Sequence, residues 1–399
     1  MRNLELDLPE RLLAIVDGTG GESRELLRKE NPHQVAAVAL EEVAFRLGLF
    51  DGPALPVDVQ FELSADGIVL EFVVEVTSGE GVARPGRVLE PQVTIRQDLD
   101  ELVRALYGPP GPDYDATRII SVNGEPGPAS DAPDDPWLVR WQAATRAAGQ
   151  AAGACSPYRP RVRELAMRAT SDKWGENWFA AHYEKHFEKY RDRRVKVLEI
   201  GVGGFEAPDA GGESLRLWKS YFRRGLIFGM DIFDKSPLTR PRMRTVQCDQ
   251  SDHASLTEVA RGIGELDVII DDGSHVSEDT ITSFRTLFPL LKPGGVYVVE
   301  DVQTSYWPGW NGNRQDFTDQ ATWIGFVKRL IDGLHHQDQV DVEARAASEI
   351  DRSVIGIHLY HNIVFIDKGV NGEGTAPSWV RRHVNDMELE PKGSMAPSE

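Results

Sequence analysis

Two short stretches concentrate oxygen ligands and a histidine. In "VIIDDGSHVSED" (268–279) an apolar run ends on Asp271 and Asp272, and His275 follows three residues after the second. In "GGVYVVEDVQTSYW" (294–307) another apolar run ends on Glu300 and Asp301. Strand residues alternate sides, so only one of Asp271 and Asp272 can face a given site. Asp272 lies nearer the loop and is the candidate; Asp271 is left to support the strand end. Asp272, Glu300 and Asp301, brought together, would repel one another unless a divalent cation sat among them, and a cluster of hard carboxylate oxygens suits Mg2+. His275 then falls beside the cation as a general base. A lone histidine is more often a surface or satisfied residue; this one is singled out because it follows a strand-end acid.

A second set of residues sits at other strand ends. "VLEIGVGG" (197–204) puts Gly201 and Gly203 in the turn after a strand, where the missing Cβ atoms let backbone approach a ligand. A dinucleotide fingerprint GxGxxG would need glycine at position 206, which is Glu206, so a nicotinamide cofactor is disfavoured. Glu199, two residues before the first glycine, and Asp231, ending "IFGMD", are carboxylates that repel phosphate but suit a cationic nucleoside and accept hydrogen bonds from ribose hydroxyls. Asp249 in "CDQSD", with neighbouring Gln250, is placed to take an adenine amino group. Any one of these acids could be a mere strand-end cap; the set, in order, is harder to dismiss.

The elements that must carry these residues follow from the patterning. At 399 residues the chain exceeds one ordinary core. From Arg193 onward short apolar strands alternate with helical stretches beginning near Ser214, His253 and Ser277, which predicts an α/β, doubly wound parallel sheet; "SVIGIHLYHNIVFIDKG" adds a terminal antiparallel pair. Before this, "HQVAAVALEEVAFRLGL" reads as a helix, residues 57–78 as two strands joined at Asp66-Gly67, and "PQVTIRQ" as a strand leading into a helix. A Pro/Gly/Asp-rich run after residue 108, interrupted by a short strand at 118–122, reads as a linker. The expected division is therefore a smaller N-terminal α+β domain with its linker over 1–150 and a catalytic domain over 151–399.

Composition narrows the partners. A net charge of −19 without a Lys/Arg cluster argues against nucleic acid. The first residues do not resemble a leader peptide, no long apolar run suggests a membrane span, and the expectation is a soluble cytoplasmic protein. Two distant cysteines, Cys155 and Cys248, indicate neither a disulfide framework nor a zinc site.

The order "VLEIGVGG…GMDI…QCDQSD…LDVIIDDGSH…LKPGGVYVVED" resembles the class I S-adenosylmethionine-dependent methyltransferases over about residues 155–370. More narrowly, the chain resembles the metal-dependent sugar O-methyltransferases of macrolide biosynthesis, carried by "DDGSH", "VVED" and the lead-in "TSDKWGENWFAAHYEKHF" (170–187). The resemblance implies a Rossmann-like methyltransferase sheet, S-adenosyl-L-methionine and Mg2+ as cofactors, an extra N-terminal domain and a homo-oligomer, a tetramer in the family. It supports Asp272 as the ligand position and Lys173 as a donor contact. The expected substrate is a glycosylated macrolide: Gln303, Tyr306 and Trp307, with Trp310, would pack against a sugar ring or macrocycle, unless they merely fill a loop. Octahedral Mg2+ held by three acids has room for two oxygens on neighbouring sugar carbons, so the expected acceptor is a deoxysugar with a vicinal diol. A small catechol-like acceptor is the serious rival; a nicotinamide oxidoreductase and a non-catalytic scaffold rank lower. The pairs His182/His186 and His358/His361 read as structural.

Overall fold

The structure is a computed structural model that describes residues 7–18, 20–111, 116–123, 135–338 and 347–372. Contacts group the chain into two compact units, one of residues 1–195, 207–228 and 235–245, the other of 196–206, 229–234 and 246–399.

The first unit is built on a five-stranded sheet of β1 (Val57–Ala65), β2 (Ile68–Val76), β3 (Val82–Pro85), β4 (Val93–Asp98) and β5 (Ile119–Val122), in the order β3-β2-β1-β4-β5. Asp66 and Gly67, both at positive φ, close the hairpin as its two-residue turn requires, pairing Ala65 with Ile68. β1 and β4 run parallel. The edge strand β3, "VARP", is too short and exposed to show a period and was not expected from sequence.

The helices Pro32–Leu47, Leu99–Tyr107 and Pro136–Ala154 are among those of this unit. The last begins inside the run that composition reads as linker, whose quoted stretch ends at "DDPW": Asp135 caps the helix through the Trp137 N–H and Pro136 opens it, so "DDPW" is a helix start. Residues 112–115 and 124–134 of that run, and residues 1–6, lie outside the described residues. A fully buried acid, Glu42, is ringed by Arg46 (3.0 Å), Lys219 (3.0 Å) and Arg242 (2.5 Å).

The second sheet holds β6 (Val195–Ile200), β7 (Gly225–Asp231), β8 (Met243–Gln247), β9 (Leu266–Asp271), β10 (Leu291–Glu300), β11 (Val354–Tyr360) and β12 (Ile363–Lys368), in the order β11-β12-β10-β9-β6-β7-β8. β6, β9 and β10 are parallel; β12 pairs antiparallel with both β10 and β11, the expected terminal hairpin. Helices start at Glu213, His253 and Ser277, where the patterning put them. The first strand of the series, β6, lies between β9 and β7, so the strand order reverses there. In open α/β sheets the crevice at the carboxyl ends of such strands is where ligands bind. Cys155, in the first unit, and Cys248, in the second, are free and buried. No helix among the described residues is long and apolar enough to cross a membrane.

Candidate active site

The loop after β6 is shaped by a close approach. Gly201 has φ +89°, its N–H donates to the Met230 carbonyl at 2.8 Å, and a Cβ there would lie 2.2 Å from the Asp272 carbonyl oxygen. No other residue fits both the dihedral and the space. Gly203 also has positive φ. Asp231 ties this loop to the end of β7: one carboxylate oxygen accepts from Val202 N–H and the other from Phe233 N–H, each at 2.9 Å. Ile232 follows it with an exposed apolar side chain, which the sequence reading passed over although it adjoins the strand-end acid. Glu199 is fully buried within β6. Asp249 is exposed, and its Oδ1 accepts from Ser251 N–H (2.8 Å) and hydroxyl (2.7 Å).

Gln250 Nε2 donates to Asp271 Oδ1 at 2.7 Å and its Oε1 accepts from Ser274 N–H at 2.9 Å, while a Cβ at Gly273 would sit 2.2 Å from that Oε1. Both ends of the amide are thus engaged in holding the loop 271–274. The other Asp271 oxygen accepts from the Tyr297 hydroxyl at 3.2 Å. Burial drives the Asp271 carboxyl up to about 7, against the hydrogen bonds from Gln250, Tyr297 and the Gly273 N–H, which favour its charge.

The alternation at the end of β9 therefore separates two adjacent acids: Asp271 faces the interior, and Asp272 gathers with the other candidate ligands. Ligand atoms of Asp272, His275 and Asp301 all lie within 4.8 Å of one another, and those of Asp272 and Glu300 within the same distance. His275 Nε2 is 3.6 Å from Asp301 Oδ2. His275 (φ +56°) and Asp301 (φ +51°) both occupy the left-handed region, where an L-residue is held only by its surroundings. Thr304 supplies part of that hold, its hydroxyl lying 2.9 Å from the His275 carbonyl and 3.0 Å from that of Asp301. Glu300, ending β10, is buried. Like charges crowded at two neighbouring strand ends, all hard oxygen donors, fit a divalent cation such as Mg2+.

The segment after Asp301 carries the residues expected to meet the substrate. Gln303 donates from Nε2 to Asp301 Oδ1 (3.4 Å), and its own Oε1 is buried without a hydrogen-bond partner. Tyr306, Trp307 and Trp310 are 39%, 46% and 40% exposed, and Trp307 and Trp310 stand edge to face at 5.5 Å. Phe317, also exposed, contacts Tyr306.

Lys173 lies in the first unit and is fully buried, its Nζ 3.9 Å from an Asp172 carboxylate oxygen. His358 pairs with Asp367 at 2.9 Å, in line with a structural role. Sequence reasoning missed Asn362, whose amide reaches Asp301 from the β11–β12 turn; the only local signal was an asparagine between two strand-like runs.

A Rossmann-like sheet with a glycine turn after its first strand, acids on the next strand ends and a carboxylate–histidine cluster defines an S-adenosylmethionine-dependent methyltransferase. Comparison with known proteins agrees. The family described as MycE methyltransferase N-terminal matches residues 10–118. The chain is 39% identical to demethylmacrocin O-methyltransferase of Streptomyces fradiae, over 98% of this chain and 99% of that one. It is 43% identical to 8-demethyl-8-alpha-L-rhamnosyl tetracenomycin-C 2'-O-methyltransferase of Streptomyces olivaceus, over 92% and 97%. The MycE methyltransferase of the mycinamycin pathway, solved in complex with Mg, SAH and mycinamycin VI, superposes with a TM-score of 0.81 at 35% identity, covering 93% of this chain and 95% of that one. The chain belongs to the sugar O-methyltransferase family of macrolide and related polyketide biosynthesis, which removes the nicotinamide and scaffold alternatives.

Proposed function

We propose that the protein transfers the methyl group of S-adenosylmethionine to a hydroxyl of a deoxysugar carried by a macrolide or a related glycosylated polyketide, with Mg2+ required. The observation that carries this reading is the gathering of Asp272, His275 and Asp301 at the ends of β9 and β10, where the Asp272 backbone touches Gly201 of the donor loop. Asp272, Glu300 and Asp301 would hold the cation, which supplies the acidifying charge that a neutral sugar hydroxyl needs. His275 Nε2 takes the hydroxyl proton, and Asp301 Oδ2 beside it steadies the resulting imidazolium. The sugar oxygen then displaces the sulfonium, forming one C–O bond and breaking one S–CH3 bond, and leaves S-adenosylhomocysteine. Gly201, Gly203, Asp231 and Asp249 line the donor cleft; Tyr306, Trp307 and Trp310 take the aglycone, and Gln303 the sugar. Residues 1–150 are read as an auxiliary domain, the assembly as a homotetramer and the location as cytoplasmic.

The relatives' names give at least three different acceptors, demethylmacrocin, a rhamnosyl tetracenomycin-C and mycinamicin VI, so substrate choice is the point to test. Purified protein with S-adenosylmethionine and Mg2+ should be offered mycinamicin VI, demethylmacrocin, a rhamnosyl tetracenomycin and a simple catechol, with methylation followed by mass spectrometry. Transfer to a glycoside's sugar is expected. Transfer to the catechol alone would overturn the reading. Light scattering in solution tests the tetramer.

A further inference from the structure

The Asp301 carboxylate is set by a part of the chain some sixty residues away. β10 ends at Glu300, the backbone turns at Asp301, and the side chain is met by Asn362 at the turn of the β11–β12 hairpin, where Tyr360 pairs with Ile363. Asn362 Nδ2 donates to Asp301 Oδ1 at 2.8 Å, Asn362 Oδ1 accepts from Gln303 N–H at 3.0 Å, and the Asn362 carbonyl accepts from Val302 N–H at 3.4 Å. One asparagine thus binds three consecutive residues. Its amide orientation follows from those partners, since only Nδ2 can serve the carboxylate while Oδ1 serves an N–H. Asn362 has φ +68°, a conformation asparagine tolerates better than most residues. With Gln303 Nε2 as the second, longer donor, Asp301 Oδ1 is engaged by two amides, and the oxygen facing His275 is Oδ2.

We infer that Asn362 is the positioning residue of the metal-ligand cluster: by holding Asp301 Oδ1 it fixes the carboxylate as a one-oxygen ligand, with Oδ2 turned to the cation and to His275. The antiparallel hairpin at the sheet edge then has a specific task, presenting one amide to the acid at the end of β10. The inference rests on the reading that this cluster holds Mg2+. Partners that orient a ligating carboxylate in this way are typically worth about 10- to 100-fold in metal affinity.

The test uses two variants of the full chain. Asn362→Gly keeps the left-handed turn available and removes the amide; Asn362→Asp keeps the side-chain shape but turns a carboxylate oxygen toward Asp301. Metal-free wild type and variants are titrated with Mg2+ by calorimetry, with S-adenosylhomocysteine affinity and thermal melting in EDTA measured alongside. Mg2+ affinity should fall about 10- to 100-fold in Asn362→Gly and further in Asn362→Asp, while S-adenosylhomocysteine affinity stays within about twofold. Wild-type Mg2+ affinity in Asn362→Gly overturns the inference alone. A fall in Mg2+ affinity matched by equal losses in S-adenosylhomocysteine affinity and melting temperature overturns it in favour of a merely structural hairpin. A wild type that binds no Mg2+ overturns both the inference and the metal reading beneath it.

Discussion

His275 is the residue on which the proposed chemistry turns. Replacing it with alanine is expected to lower kcat by about 10²- to 10⁴-fold, the usual range for a lost general base, with S-adenosylmethionine affinity nearly unchanged because the proposed donor residues lie at other strand ends. Equilibrium binding of the donor analogue beside single-turnover rates checks this; lost donor binding with an intact rate per bound complex would make the histidine a donor contact. At Gly201 the expectation is geometric. Gly201→Ala puts a Cβ 2.2 Å from the Asp272 carbonyl at φ +89°, so the strained backbone alone should cost about 1–2 kcal/mol and the donor loop should shift away from β9. A melting temperature and donor affinity equal to wild type would contradict the close approach. At this scale the sequence shows residue types well and pairings poorly. The alternation rule separates Asp272 from Asp271, yet nothing local reveals that Gln250 reaches Asp271 and Ser274, or that Asn362 reaches Asp301, because both are contacts across the fold.

The helix Pro32–Leu47, the helix Glu213–Tyr221 and the turn before β8 meet around one buried acid. Burial alone would raise the Glu42 pKa, but Arg242, then Lys219 and Arg46, outweigh it and hold the carboxylate far below its ordinary 4.5. Lys219 is shifted the other way: burial pushes its ammonium down to about 8 even with Glu42 opposing. Glu42→Gln should therefore cost about 3–5 kcal/mol, since it leaves buried cations uncompensated. A carboxylate with a depressed folded pKa contributes stability above its unfolded pKa and loses it as pH falls toward the folded value. The gap between wild type and Glu42→Gln in urea unfolding should accordingly be largest near neutrality and shrink below pH 4.5; a gap independent of pH would show that ionised Glu42 is not what matters. The elements themselves were legible wherever period and caps agreed, as at His253–Ile263, capped by Asp252, and the Asp66-Gly67 hairpin. The helix Pro136–Ala154 was not, because its cap and opening proline sit at the end of a run whose composition reads as linker.

The chain as a whole carries 63 acidic against 44 basic residues, so the acid cluster at β9 and β10 adds to an already negative molecule. Removing divalent metal with EDTA should abolish turnover, and Mg2+ should restore it; full activity with metal absence verified by elemental analysis would refute the requirement. Donor binding should also leave a spatial trace. S-adenosylhomocysteine at about 100 times its Kd adds roughly 2.7 kcal/mol to whatever unit binds it. Amide exchange should slow most at 201–204, 231–233 and 249–251, and protection concentrated instead in the five-stranded sheet would place the donor elsewhere. The grouping of residues 207–228 and 235–245 with the first unit is a long-range property that strand and helix periods do not encode.

The chain has two cysteines, and each compact unit holds one of them: Cys155 in the first and Cys248 in the second, both buried, with burial raising the first thiol to about 11 and the second above its usual range. A shielded thiol reacts with an alkylating reagent only when its surroundings open, so the two labelling rates act as separate clocks for local unfolding. Mass spectrometry of the labelled peptides would time each unit in the unmodified protein. A ligand that slows only the Cys248 clock would be read directly as stabilising the second unit, without a probe having to be engineered in.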